Sequence, residues 1–475
     1  MITSRATLRR GGLTSLLLLL TAGSVTAQHF PAESKLLALI KERVDAGRTV
    51  GMVVGVVEAT GSRTIVAYGE SGPGTRPLGP KSVFEIGSIT KVFTSILLAD
   101  MAARGEVALD DAVKRYLPTG VSMPSRDGQT ITFTHLATHR LALPRMPTNF
   151  FPADGSNPFA DYTPELLWEF LTGYTLTRDI GSQYEYSNVG AGLLGFLLAR
   201  RAGKDYEELV QERILDPLGM DMSGIELTGP MREWLVLGHN QNGDVVPNWD
   251  IPTLAGAGAL RSNVEDMLTF LEANMGEPTT DLQRAMRVSH ESREQAGPNM
   301  TIGLGWHIQH PGDDVVVWHN GGTGGYRTFV GFDPARRVGA VVLTNSAHGA
   351  DDIGFHLINR SVPLAAPPEP VEERTEVEVS PEIMAGYVGV YELVPGFEMT
   401  VTLNDGQLHI QATGQPKFPV FAESETKFFL KVVDAQVTFV RDESGEVTRL
   451  ILHQAGQNTP GKKISKSEGS EQHTP

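Results

Sequence analysis

Phe84-Glu85-Ile86-Gly87-Ser88-Ile89-Thr90-Lys91 sets a serine and a lysine three residues apart at the mouth of a long apolar pattern. From Ile89 to Arg104 the residues Val92, Phe93, Ile96, Leu97 and Met101 recur at helical spacing, and Gly105 stands where helices commonly stop. The pattern predicts a helix with Ser88 at its N-terminus. Residues three apart share a helix face, so the Lys91 amine comes within reach of the Ser88 hydroxyl. A serine hydroxyl is a weak nucleophile until a base takes its proton, and lysine becomes such a base once burial or a second cation lowers its pKa. Free N–H groups at a helix start also favour negative charge on a substrate oxygen. Ser-x-x-Lys alone is a weak signal, because chance places about one in a chain of this length.

Two further stretches supply partners. Tyr186-Ser187-Asn188 directly precedes a small-residue-rich helical pattern from Val189 to Ala202. A tyrosine near cations can move a proton, and an amide can hold both an amine and a substrate carbonyl. The plainer reading is that Ser187 or Asn188 caps the helix while Tyr186 fills a core position. Trp318-His319-Asn320-Gly321-Gly322-Thr323-Gly324-Gly325-Tyr326 lies between two strand signals. Its glycines would let a substrate lie along an edge strand, and its N–H groups could complete an oxyanion hole. The plainer reading is a flexible turn. A phosphate-cradling loop is disfavoured, since a strand follows and the Lys-Ser/Thr of a nucleotide loop is missing. His135 and His139, four apart, have the helical spacing of zinc ligands, but Leu136 replaces the protease-motif glutamate and spacing offers no third ligand. No metal and no cofactor is expected.

At 475 residues the chain exceeds one ordinary core. Its formal net charge is −16 and it has no dense Lys/Arg run, which argues against a nucleic-acid partner or an anionic membrane surface. It has no cysteine, so disulfides and thiolate metal sites are excluded. Residues 1–27 read as a signal peptide: Arg5, Arg9 and Arg10 precede the apolar run Leu13 to Ala22, and Val25-Thr26-Ala27 offers a small-residue cleavage site. The run is short for a membrane span. A periplasmic or secreted protein without a stable membrane span is expected.

An amphipathic helix is expected around Leu36 to Ala46, then a hairpin of Gly51 to Ala59 and Ser62 to Tyr68. Leu109 to about Trp234 reads as mostly helix, clearest at Thr163 to Thr172, Asn188 to Ala202 and Tyr206 to Leu215. Ser262-Asn263-Val264-Glu265 reads as a capping box opening a helix to about Asn274. Strand signals return at Gly305 to His310, Val315 to Trp318, Tyr326 to Phe332 and Val338 to Thr344. One antiparallel sheet built from both ends, with helices between, would bury every apolar face. A Pro- and Glu-rich linker spans 361–380, and strand-like alternation from 381 to 462 suggests a small antiparallel barrel or sandwich. The polar residues from Gly461 onward read as disordered.

In this order, Ser88-x-x-Lys91, Tyr186-x-Asn188 and His319-x-Gly321 resemble the serine β-lactamases of class C and their low-molecular-weight penicillin-binding relatives, which include D-amino-acid peptidases and esterases. The resemblance covers about residues 35 to 360 and extends to Ile131 to Pro144. It implies an α/β (α+β) fold of the β-lactamase/DD-peptidase type for residues 28–360, an antiparallel sheet flanked by helices plus a helical subdomain. It also implies an acyl-enzyme mechanism. Ser88 would attack a carbonyl carbon with help from Lys91 and Tyr186. The N–H groups of Ser88 and Gly322 would hold the oxyanion, and Asn188 would orient Lys91 and the substrate amide. The C-terminal stretch 381–462 resembles the lipocalin-like domains appended to some members.

Two departures stand out. Class C enzymes usually carry Lys-Thr-Gly, whose lysine meets the substrate carboxylate, where this chain has His319-Asn320-Gly321. Ala142 stands where relatives usually have glycine. The expected substrate is a small molecule or a peptidoglycan-derived peptide, either a β-lactam or a D-Ala-type amide. The histidine favours a rival, a carboxylesterase or D-amino-acid peptidase on the same serine. A third possibility is a penicillin-binding sensor that acylates without turnover.

Overall fold

A computed structural model describes Met1 and residues 28–312, 314–366, 374–394, 397–404, 406–413, 417–431, 435–454 and 457–464. The leader, part of the linker and the last eleven residues lie outside the described residues. The chain forms two compact units, residues 1–366 and 367–475.

The first unit is built on an eight-stranded antiparallel sheet. Its order is Arg63–Gly69, Gly51–Val57, Val338–Thr344, Arg327–Asp333, Val316–Gly322, His307–Gln309, Met300–Ile302 and Glu294–Gly297. Val54 sits opposite Val66 on one side and Val342 on the other, so strands from the two ends of the unit are direct neighbours, as the strand signals required. Gly51–Val57 and Val338–Thr344 are buried along their whole length. Side chains alternate between faces along a strand. Val54 and Val342 therefore pack with Leu36, Ile40, Ile353 and Leu357, from helices Glu33–Asp45 and Asp351–Ile358. Val53 and Leu343 instead join the cluster of Met267, Leu268 and Leu271, from helix Val264–Met275.

On that second side lies helix Thr90–Ala103, buried continuously from Thr90 to Met101, with Phe93 stacked on Phe270 at 4.3 Å. A helix with no solvent face is a core element, which is why its apolar pattern is so dense. The tight turn Gly87–Ile89 leads into it, so Ser88 sits in a 3-10 turn just ahead of the α-helix proper.

Three local expectations are corrected. The stretch 109–234 holds less helix than expected: residues 138–163 contain neither helix nor strand. Pro144, Pro147, Pro152 and Pro158 remove the amide donors a helix would need there. The cap at 262–265 is carried by Asn263, whose side chain accepts from Asp266 N–H. Ser262 belongs to a short strand opposite Phe84, and its hydroxyl meets Ser223 at 2.7 Å.

The third correction falls in the second unit, a nine-stranded antiparallel sheet over a core of Tyr387, Tyr391, Leu408, Val437 and Phe439. Its two edge strands, Lys417–Pro419 and Phe421–Ala422, are consecutive in the chain, so the sheet almost closes into a barrel. Its strand Gln457–Ile464 runs through the residues read as a disordered tail. Backbone pairing with Val390–Glu392 and Arg449–Gln454 places these polar residues, so their composition carried no signal.

Candidate active site

The three quoted stretches converge. Gly87 has φ +50, a left-handed conformation that favours glycine, and a Cβ there would lie 2.6 Å from Gly322 N. A Cβ on Gly321 would lie 1.9 Å from Ile86 O. The end of strand Val316–Gly322 thus lies flush against the Ser88 turn because neither backbone carries a side chain at the contact. The Thr328 hydroxyl reinforces it by donating to Ile86 O at 3.0 Å.

Lys91 Nζ donates to Ser88 Oγ at 2.9 Å and to Ala257 O at 2.5 Å. The lysine is 1% exposed, and that burial, followed by the positive charge of Arg145, holds its pKa well below the ordinary lysine value. The neutral amine, which can accept a proton, is favoured. Tyr186 arrives from the N-terminus of helix Asn188–Ala202. Ser187 is the cap: its hydroxyl accepts from Gly190 N–H at 3.0 Å and donates to Pro144 O at 2.8 Å. The plainer reading is right for Ser187, and capping is what presents Tyr186 to the serine. Burial pushes the Tyr186 phenol up to about 12, while its hydrogen bond with Ser88 and the Arg145 charge pull the other way. Its ring has Lys91 Nζ at 4.9 Å from the centroid.

Asn188 lines the same pocket, but its amide donates to Met146 Sδ at 3.5 Å. Ala257 O, rather than Asn188, is the second partner of the Lys91 amine. His319 is fully buried, and its Nδ1 lies 2.6 Å from Asn320 O. Burial is the first cause that lowers its pKa well below the usual imidazole range, so the ring is neutral. Asn320 gives its amide to Asp351 at 2.5 Å. His135 and His139 do not form a pair: His135 Nδ1 sits on Thr132 in a reciprocal cap, whereas His139 packs its ring 4.6 Å from that of Tyr186. Ala142 takes a left-handed backbone that favours glycine, at φ +63.

The pocket over Ser88 holds about 610 Å³. Beside Tyr186, Asn188 and the strand residues Asn320, Gly321 and Gly322, it is lined by Arg145, Phe150, Phe159, Trp249, Thr323 and Arg327. No aspartate or glutamate lines it among the described residues.

This geometry has counterparts of known kind. Residues 36–360 match the family described as Beta-lactamase. The chain belongs to the β-lactamase family. As a member of that family it is a serine hydrolase. It is 31% identical over 314 residues to the D-alanyl-D-alanine-carboxypeptidase/endopeptidase AmpH of Escherichia coli K12, covering 62% of this chain and 80% of that one. It is 26% identical over 414 residues to penicillin-binding protein 4* of Bacillus subtilis, covering 80% and 87%. The structure of a beta-lactamase/D-alanine carboxypeptidase from Yersinia pestis superposes with a TM-score of 0.60 at 26% identity, covering 70% of this chain and 96% of that one. Residues 373–464 match a domain of unknown function, DUF3471.

Several site residues of this β-lactamase-family chain escaped the sequence reading. Arg145 follows Leu143-Pro144 and Arg327 follows Gly325-Tyr326, so each adjoins a quoted motif; a search for cations next to those motifs would have found both. Phe150, Phe159 and Trp249 had no such signal, since the fold alone brings residues about a hundred apart together. Glu85, quoted without a role, is 4% exposed. It accepts from Asn248 Nδ2 and Trp249 N–H, both at 2.9 Å, and from Arg261 at 3.2 Å, tying the pocket wall to the serine turn.

Proposed function

We propose that Ser88 is the nucleophile of an exported hydrolase that cleaves β-lactams or D-Ala-type amides through an acyl-enzyme. The observation that carries this reading is the 2.9 Å contact between Ser88 Oγ and a buried Lys91 amine, open to a pocket with Tyr186 on its wall. Ser88 Oγ bonds to the carbonyl carbon while its proton passes to Lys91 Nζ. The carbonyl electrons move onto oxygen, facing the N–H groups of Ser88 and Gly322. Tyr186 delivers a proton to the departing nitrogen as the C–N bond breaks. Water then attacks the ester, with Tyr186 and Lys91 taking its proton as a coupled unit. The relatives named above are carboxypeptidases and penicillin-binding proteins, which supports a peptidoglycan-derived or β-lactam substrate.

Arg327 supplies the fixed positive charge for an anionic substrate. Its Nη1 donates to Thr323 O at 2.6 Å and Tyr326 O at 2.8 Å, and a Cβ on Gly322 would lie 3.0 Å from that nitrogen. The guanidinium therefore lies along the edge where the substrate would rest, whereas His319 is buried and uncharged. Ser88→Ala is expected to abolish both turnover and labelling by a fluorescent penicillin, and retained labelling would refute the nucleophile.

The neutral His319 favours a second reading, an esterase or D-amino-acid peptidase on the same serine. Turnover of nitrocefin, p-nitrophenyl butyrate and D-amino-acid amides separates the two. Export rests on the leader read in residues 1–27; among the described residues no helix is long and apolar enough to cross a membrane. The lipocalin-like stretch 381–462 is assigned no catalytic residue.

A further inference from the structure

The Tyr186 ring is flanked by two basic side chains. Lys91 Nζ and the Arg145 guanidinium carbon each lie 4.9 Å from its centroid. Arg145 forms no ion pair among the described residues, and no acidic residue lines the pocket it borders. Its backbone is fixed as well: Arg145 O accepts from Asn188 N–H at 2.9 Å and Val189 N–H at 3.3 Å, at the start of the helix that presents Tyr186. The remaining titratable groups around the phenol are His139 at 4.6 Å, His319 at 6.2 Å and His307 at 6.3 Å between ring centroids, with Tyr184 bound to His307 at 2.8 Å. Burial depresses all three imidazoles, so they are neutral, and His307 is lowered to about 4. Arg145 is then the permanent cation against the phenol ring, beside the neutral Lys91 amine.

We infer that Arg145 is a positioning residue for the proton-transfer step, stacking on Tyr186 as a permanent positive charge beside the neutral Lys91 amine, where His319 supplies none. This rests on the acyl-enzyme reading above. A positive charge there disfavours protonated Lys91 and favours ionised Tyr186, so the pair holds one proton fewer and stands ready to accept that of Ser88. The proton moves from Ser88 Oγ to the pair as the Oγ–C bond forms, and leaves with the nitrogen or oxygen when the C–N or C–O bond breaks. Arg145 faces solvent on one side, so salt weakens its effect without removing it.

The test follows the acylation rate of Ser88 by a fluorescent penicillin, and kcat/KM for p-nitrophenyl butyrate, against pH. Arg145→Gln moves the acid limb upward by about half to one pH unit, a threefold to tenfold change in the ionisation constant. Arg145→Lys restores the limb, and high salt narrows the gap between wild type and the Gln variant. Arg145→Met, which keeps the apolar stem, gives the same shift should the Gln variant fail to fold. Superimposable profiles with only a lower amplitude would make Arg145 a packing residue and overturn the inference, leaving the Ser88 reading intact. Labelling that persists in Ser88→Ala would remove both.

Discussion

At the scale of single residues, the site depends on atoms that are missing. Gly321→Ala would drive a methyl into Ile86 O, which strand and turn can relieve only by separating. We expect a loss of about 3 kcal/mol or more in stability and of about a hundredfold in acylation, read by thermal unfolding and by penicillin labelling. Arg327 makes a separate prediction. Between a neutral p-nitrophenyl ester and its analogue ending in a carboxylate, the wild type prefers the anionic one, and Arg327→Gln lowers that ratio of kcat/KM about tenfold. An unchanged ratio would place the anion elsewhere. Both residues lie inside or beside motifs legible in the sequence, yet the role of neither could be assigned, because clash and charge environment belong to the neighbours.

At the scale of elements, helix Asn188–Ala202 shows packing reversing propensity. In an isolated helix, replacing Gly195 by alanine would stabilise by about 1 kcal/mol. Here a Cβ would meet Gly256 Cα at 2.9 Å and the Tyr206 ring at 3.0 Å. Gly195→Ala is therefore expected to destabilise by about 1–3 kcal/mol, and a raised melting temperature would contradict the packing account. The cap at Asn263 behaves in the ordinary way: Asn263→Ala should cost about 1 kcal/mol by denaturant titration. Helix periodicity was legible where one face was apolar, as at Pro164–Gly173, and where the whole helix was buried, as at Thr90–Ala103. It failed over 138–163, where prolines and side chain–backbone bonds shape an irregular wall, and at Gln457–Ile464, where pairing alone holds a polar strand.

At the scale of the molecule, buried neutral histidines couple stability to pH. His307 is depressed to about 4 and His290 to about 3, burial being the main cause in both. Unfolded histidine takes up a proton below about pH 6.5, while the folded rings resist until those lower values. The unfolded state thus binds more protons between, and stability falls as pH drops from about 6.5 toward 4, by about 3 kcal/mol for His307 alone. Melting temperatures across that window should fall steadily; a flat profile would mean the rings gain protons while folded.

By itself the sequence showed Ser88 and Lys91 three apart at a helix start, a two-ended sheet, and a tyrosine stretch and glycine run whose order with them resembles the family, because periods and residue order are properties of the chain itself. Only the tertiary structure decided that Ala257 rather than Asn188 shares the lysine amine, that His319 is buried and uncharged, and that Arg145 and Arg327 supply the pocket's cations. Burial and electrostatic surroundings are sums over residues brought together by folding, and no spacing along the chain encodes them.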